Sequence, residues 1–169
     1  MPKAIKTYVK CVEAVNRIVG EFSMYIVLFM TSILVFETIS RNVFHRPHIW
    51  VVETIEFMMA AYYLLGGGYS VILRGHVRMD LFYGRWSAKG KAIADLLTAP
   101  FFIFYVLFLL IGGISGLDYA LRYGQKNYSS WGPPLAPIKA IMVIGIALML
   151  LQAFAVFFKD LARARGEEL

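Results

Sequence analysis

The sequence predicts an all-α integral membrane protein of four transmembrane helices, and three observations predict it. Four apolar segments, 22–40, 51–73, 93–117 and 137–158, each hold about 20 residues or more, enough for a helix to cross ~30 Å of hydrocarbon. Hydrophobic residues make up 59% of the chain, and its mean hydropathy is +0.64. A soluble core does not bury that much apolar surface, whereas a bilayer does. The stretches left over are too short for a globular domain, so residues 1–169 read as one membrane domain.

The net charge of +6 invites a nucleic-acid reading until its distribution is examined. Of the 17 Lys and Arg residues, 12 fall before the first span, between the second and third, or after the fourth; the other 5 lie in the other two loops or, for Lys139, at the start of the fourth span. The positive-inside rule then places both termini and the middle loop in the cytoplasm. Topology accounts for the charge, and no nucleic-acid partner is expected. Ile39-Ser40-Arg41-Asn42 is not a small-residue cleavage site, so the first helix is expected to stay as an anchor. The single cysteine, Cys11, excludes an internal disulfide and a multi-cysteine metal cluster.

Residues 4–20 have the spacing of an amphipathic helix. Ile5, Tyr8, Val9, Val12, Val15 and Val19 share one face, and Lys6, Lys10, Glu13 and Arg17 the other. Such a helix lies flat at the cytoplasmic interface, apolar side toward the acyl chains and basic side toward anionic lipid. The alternative is a cytoplasmic extension of the first span, kinked near Gly20. The 74–91 loop interleaves basic residues with Met79, Leu81, Phe82, Tyr83 and Trp86, which predicts a second interfacial helix. Ser87 is placed to cap the third span. Pro100 is expected to kink or loosen that span. Ser129 to Pro134 cannot be helix interior and reads as an extracytoplasmic loop that sets Trp131 at the outer interface. Inside the spans, Gly66 with Ser70 and Gly112 with Gly116 have the small-xxx-small spacing that lets helices approach closely.

Polar residues at the membrane boundary are the natural carriers of function. Arg41 ends the first span, and Trp50, Glu53 and Glu56 open the second on the same side. The expectation is an ion pair from Arg41 to these carboxylates that ties the first hairpin; the functional alternative is an ion or proton site. Glu37, one turn deeper, either joins the cluster or faces a partner. On the cytoplasmic side His76, Arg78 and Asp80 form a charge and hydrogen-bond network within reach of Asp95. Pro47 between His45 and His48 argues against a metal site there. The histidines lie outside the spans, away from where haem is held between helices. No phosphate loop, nucleophile elbow or zinc helix is present, and no cofactor or enzymatic activity is expected. No internal repeat with broken helices marks a stand-alone transporter.

Arg41, the run Arg46-Pro47-His48-Ile49-Trp50-Val51-Val52-Glu53, a glycine-containing second span and then Gly75-His76-Val77-Arg78-Met79-Asp80 together resemble the small membrane subunit, the DctQ family, of tripartite ATP-independent periplasmic (TRAP) transporters. The resemblance covers nearly the whole chain; Trp-x-x-Glu and His-Val-Arg-x-Asp are its most specific parts. It implies an inner-membrane protein paired with a large membrane subunit that holds the substrate and sodium sites and moves as an elevator. It also implies a soluble periplasmic binding protein that delivers an organic acid. In that picture Arg41, Trp50, Glu53 and Glu56 stabilise the outer end of the scaffold, and His76, Arg78, Asp80 and Asp95 order the inner loop. His45, Arg46, His48, Arg122, Lys126 and Trp131 are candidates for touching the binding protein. Membrane lipids are further partners. Three other functions remain open on the residues alone: a self-sufficient proton-coupled exporter acting as a dimer, with Glu37 or Glu56 as proton carrier, the membrane anchor of a redox complex, and the small subunit of an unrelated tripartite carboxylate transporter with a similar helix count.

Overall fold

The computed structural model describes residues 3–73 and 88–164. These form four helices: α1, Lys3–Val43; α2, Ile49–Ile72; α3, Ala88–Tyr123; and α4, Ala136–Ala164. Each is long and apolar enough to cross a membrane. The four apolar segments read from the sequence each fall on one of them. His76, Arg78, Asp80 and Ser87 lie outside the described residues, as does most of the interfacial helix expected over 74–91.

α1 differs from expectation at its start. Its 41 residues run through Gly20 as one helix, so residues 4–20 are its first turns and not a separate element. At 1.5 Å per residue it is about 60 Å long, twice the hydrocarbon thickness. Its inward face also differs from the valine face read from spacing. Val9, Asn16, Gly20 and Ser23 are buried, while Val15 is 47% exposed. The pattern keeps helical spacing but is rotated toward Asn16, because α4 supplies a polar partner there. α3 continues through Pro100 as one helix.

Contacts between named residues set the helix directions. Tyr69 of α2 lies against Gly20 of α1, and His48 at the head of α2 bonds Glu37 of α1, so these two are antiparallel. Gly67 faces Met149, and Gly145 faces Leu64, so α2 and α4 are parallel. Gly113 of α3 faces Met142, Val143 and Ile146, and Lys139 bonds the Gly116 carbonyl, so α3 opposes α4. The bundle is therefore up-down-up-down. Loops 44–48 and 124–135 share one end, and the start of α1 and the finish of α4 share the other. α4 is the central element, packed on α1, α2 and α3.

Close approach of helices depends on three glycines other than those picked out by spacing. A Cβ on Gly145 would sit 2.6 Å from the Leu64 carbonyl oxygen. One on Gly68 would collide with the Asn16 side chain, and one on Gly20 with the Tyr69 ring. Gly66, Gly112 and Gly116 have open space where a Cβ would go. Within this chain they are not the tight contacts the spacing motif predicted, because that spacing marks small residues without saying which face is covered.

Hydroxyls inside the helices are satisfied locally, as hydrocarbon requires. Ser23 donates to the Val19 carbonyl at 2.8 Å, Thr31 to Val27 at 2.8 Å and Ser32 to Leu28 at 2.9 Å. The far end of α3 closes on Gly124, whose φ of 56° is left-handed, with the Gln125 N–H donating to the Ala120 carbonyl at 3.1 Å. This is a Schellman closure, which satisfies carbonyls that the helix end would leave open.

Gly145→Ala is expected to destabilise the bundle by about 1–3 kcal/mol, because the obstacle is backbone and cannot move aside. Gly66→Ala is expected to stay within about 0.5 kcal/mol of the parent. Thermal unfolding of the two variants in one detergent, followed by circular dichroism, checks the contrast.

Candidate functional site

At the end of the bundle that carries loops 44–48 and 124–135, α1 and α2 are joined by a carboxylate–imidazole pair. Glu37 Oε1 accepts the backbone N–H of His48 at 3.1 Å, and Oε2 lies 2.9 Å from His48 Nδ1. His48 is the residue before α2 and its own side chain makes no capping bond, so Glu37 caps α2 from the neighbouring helix. The imidazole rests between Phe36, 5.4 Å between ring centres, and Trp50, at 6.0 Å. Ser40 completes the corner. Its carbonyl accepts the N–H groups of Phe44 and Arg46, and its hydroxyl donates to the Arg46 carbonyl at 2.9 Å. His45 takes the one left-handed conformation among the described non-glycine residues, φ 53°.

The expected ion pair from Arg41 to Glu53 or Glu56 does not form. Glu37 meets His48 at the head of α2; Arg41 lies one turn beyond that level toward the loop end, whereas Glu56 lies eight residues further along α2 in the opposite direction. Their depths do not match. Glu53 turns into the bundle and is only 7% exposed, with Oε2 unpartnered. Arg41 and Glu56 are both exposed, on a groove of about 500 Å³ between α1 and α2 that Thr38, Asn42, Val52 and Ile55 also line. Trp50 is half-buried beside His48.

Three further polar contacts join helices nearer the chain termini, and the sequence did not single them out. Asn16 of α1, 1% exposed, donates through Nδ2 to Gln152 Oε1 of α4 at 3.2 Å, to the Val12 carbonyl at 3.0 Å and to the Leu148 carbonyl at 3.4 Å. Lower down, Lys159 pairs with Glu13, and Arg163 reaches Asp160, itself 2% exposed, at 3.3 Å. The Tyr8 hydroxyl donates to the Leu151 carbonyl at 3.0 Å, and its ring meets Phe158 edge-on. Gln152 was readable as a polar residue in the middle of an apolar span. Asn16 was readable four residues after Val12 and four before Gly20.

The other expected site residues are scattered. His45, Arg46, Arg122, Lys126 and Trp131 are exposed at the shared loop end, Arg122 paired with Asp118 at 2.9 Å. His48, expected among them, is engaged with Glu37 instead. The 124–135 loop is braced by Asn127 N–H to the Pro133 carbonyl and Leu135 N–H to the Gln125 carbonyl, both 2.9 Å. Lys139 anchors it through Nζ to Gln125 Oε1 at 2.7 Å. Asp95 is half-buried near the start of α3, and Ser70 borders a groove with Gly20, Ser23 and Gly66. Among the described residues no three His, Cys, Asp or Glu side chains gather as a metal site. Among the described residues Asn16, Gln152, Glu13 and Lys159 hold helices together, while Arg41 and Glu56 line the open groove between α1 and α2.

Residues 30–163 match the family model described as tripartite ATP-independent periplasmic transporters, DctQ component. A search of curated proteins returns no match.

A double-mutant cycle on Asn16→Ala and Gln152→Ala is expected to give a coupling of about 0.5–1.5 kcal/mol, the range found for hydrogen bonds between membrane helices. Glu37→Ala, which frees the N–H of His48 and removes a charge-assisted bond, is expected to cost about 1–3 kcal/mol. Unfolding in a mild detergent measures both.

Proposed function

The chain belongs to the DctQ family, the small permease subunit of TRAP transporters, and we propose that it serves as the scaffold that braces a large elevator-type membrane subunit during sodium-coupled import of an organic acid. The family works with such a large subunit and a periplasmic binding protein. It is a transporter component and not an enzyme family.

One observation carries the scaffold reading. Two polar side chains buried in the bundle, Asn16 and Gln152, join α1 to α4, and what the helices turn outward is largely apolar. Phe22, Tyr25 and Phe29 on α1 and Phe101, Phe104 and Phe108 on α3 are all more than half exposed. In a membrane such surface is satisfied by lipid or by another protein. A brace needs rigid joints and a broad flank, and both are present.

The shared end of the α1 start and the α4 finish is cytoplasmic in this reading, since the basic residues concentrate there. His45, Arg46, Arg122, Lys126 and Trp131 then face the periplasm, where they contact the binding protein. The first turns of α1 carry Lys6, Lys10 and Arg17 to the lipid headgroups. The transported acid is chosen by the other two components.

Reconstitution tests the reading. In liposomes with an inward sodium gradient, uptake of a labelled organic acid should require the large subunit, the binding protein and this chain together. Omitting this chain should reduce uptake at least tenfold, and this chain alone should give none. Substrate movement by this chain alone would overturn the reading and favour a self-sufficient exporter.

A further inference from the structure

We infer that the groove between α1 and α2 at the loop end is the face that meets the large membrane subunit, and that a cationic side chain of that subunit lies against Glu56. The inference rests on the small-subunit reading and goes beyond it by naming the face and the partner chemistry.

The starting point is an electrostatic debt. Glu56 is exposed on α2 and makes no hydrogen bond or ion pair among the described residues. It lies about 10 Å along the axis of a helix about 36 Å long, and so several ångströms inside the hydrocarbon if α2 is centred on the bilayer. A carboxylate at that depth is costly unless something donates to it. The neighbouring carboxylate on the same groove shows how this chain meets such a need: Glu37 has the N–H and the imidazole of His48. Glu56 has no equivalent.

Three occupants compete for the groove, and depth separates them. A phospholipid can place its phosphate near Arg41, at the rim. Deeper along the groove, where Glu56 lies, it offers ester oxygens and acyl chain, which donate nothing. A second copy of this chain related by a two-fold axis along the membrane normal keeps each residue at its own depth. It would set Glu56 against Glu56 and Arg41 against Arg41, like against like. A different membrane protein can present a cation at the depth of Glu56 and an acceptor at the depth of Arg41. The groove between them, floored by Val51 and Ile55 and edged by Val52, Thr38 and Asn42, has room for side chains of a facing helix. The α3 flank makes no comparable demand. From Leu96 to Leu117 it carries no charged residue, and lipid suffices there.

The test uses the complex isolated from membranes in which this chain, tagged, and the large subunit are expressed together. A photo-cross-linking amino acid replaces Val52, 63% exposed in the groove, or Phe104, 62% exposed on α3. The expected result is an adduct with the large subunit from position 52. Glu56→Lys is expected to lower recovery of the large subunit at least tenfold while the variant chain elutes normally in size exclusion. Reversing a basic residue within the cross-linked segment should restore recovery with Glu56→Lys. An adduct from position 104 with only lipid captured at 52, or undiminished recovery with Glu56→Lys, overturns this inference and leaves the small-subunit reading standing. Failure of the unaltered chain to bring down the large subunit overturns both.

Discussion

The bundle depends on one junction, where Gly68 of α2 leaves room for Asn16 of α1 to reach Gln152 of α4. A Cβ at Gly68 would strike the Asn16 amide, and without that amide the buried Gln152 would lose its hydrogen-bond donor from α1. Lipid tails are as apolar as leucine, so burial of apolar surface does not drive these helices together. Close backbone approach and interhelical hydrogen bonds have to do it instead. At this one level three helices meet through a missing side chain and a pair of amides. Gly145 against the Leu64 carbonyl extends the same contact along α2 and α4. Gly20 against Tyr69 extends it along α1 and α2.

Polar groups in a membrane chain have few places to go, and this chain uses most of the available ones. Serine and threonine hydroxyls return to carbonyls one turn back. Glu37 gives both oxygens to His48, and Glu13 meets Lys159. Lys139, three residues into α4, bonds a carbonyl of α3 and the Gln125 side chain, which ties the last loop to both helices it connects. Against this pattern of local satisfaction Glu56, exposed on the α1–α2 groove, stands out, as does the buried Oε2 of Glu53.

The sequence disclosed the architecture because hydropathy over about 20 residues reports directly on the bilayer. Four spans, the loop between α3 and α4 and the common end of both termini all follow from it. The joints were less legible. Asn16 and Gln152 are separated by 136 positions, and no local pattern says that they meet. The small-residue spacing picked out Gly66, Gly112 and Gly116 but passed over Gly20, Gly68 and Gly145, because it cannot say which side of a helix another helix covers. Arg41 and Glu56 fall near the same turn in the sequence, yet antiparallel helices carry them to different depths. Glu37 was noticed, but its partner was not: His48 read as a loop residue free to face outward, and the structure turns it against α1. The resemblance to a family was legible from Arg41 to Asp80, a run whose first part, as far as Trp50, forms this corner.

The two flanks of the molecule differ in what they ask of their surroundings. α3 rests on α4 and turns Leu97, Phe101, Phe104 and Phe108 outward, a neutral, largely aromatic surface with the Phe104 and Phe108 rings 4.6 Å apart and tilted to one another. Acyl chains meet every requirement of such a surface. The α1–α2 flank carries Arg41 at its rim and Glu56 further down, and acyl chains meet neither. An isolated helical bundle would gain by exchanging Glu56 for leucine, since nothing in its own fold uses the charge. That the fold carries the cost on one flank and avoids it on the other is the asymmetry expected of a subunit whose structure is completed on one side by a second protein and on the other by lipid.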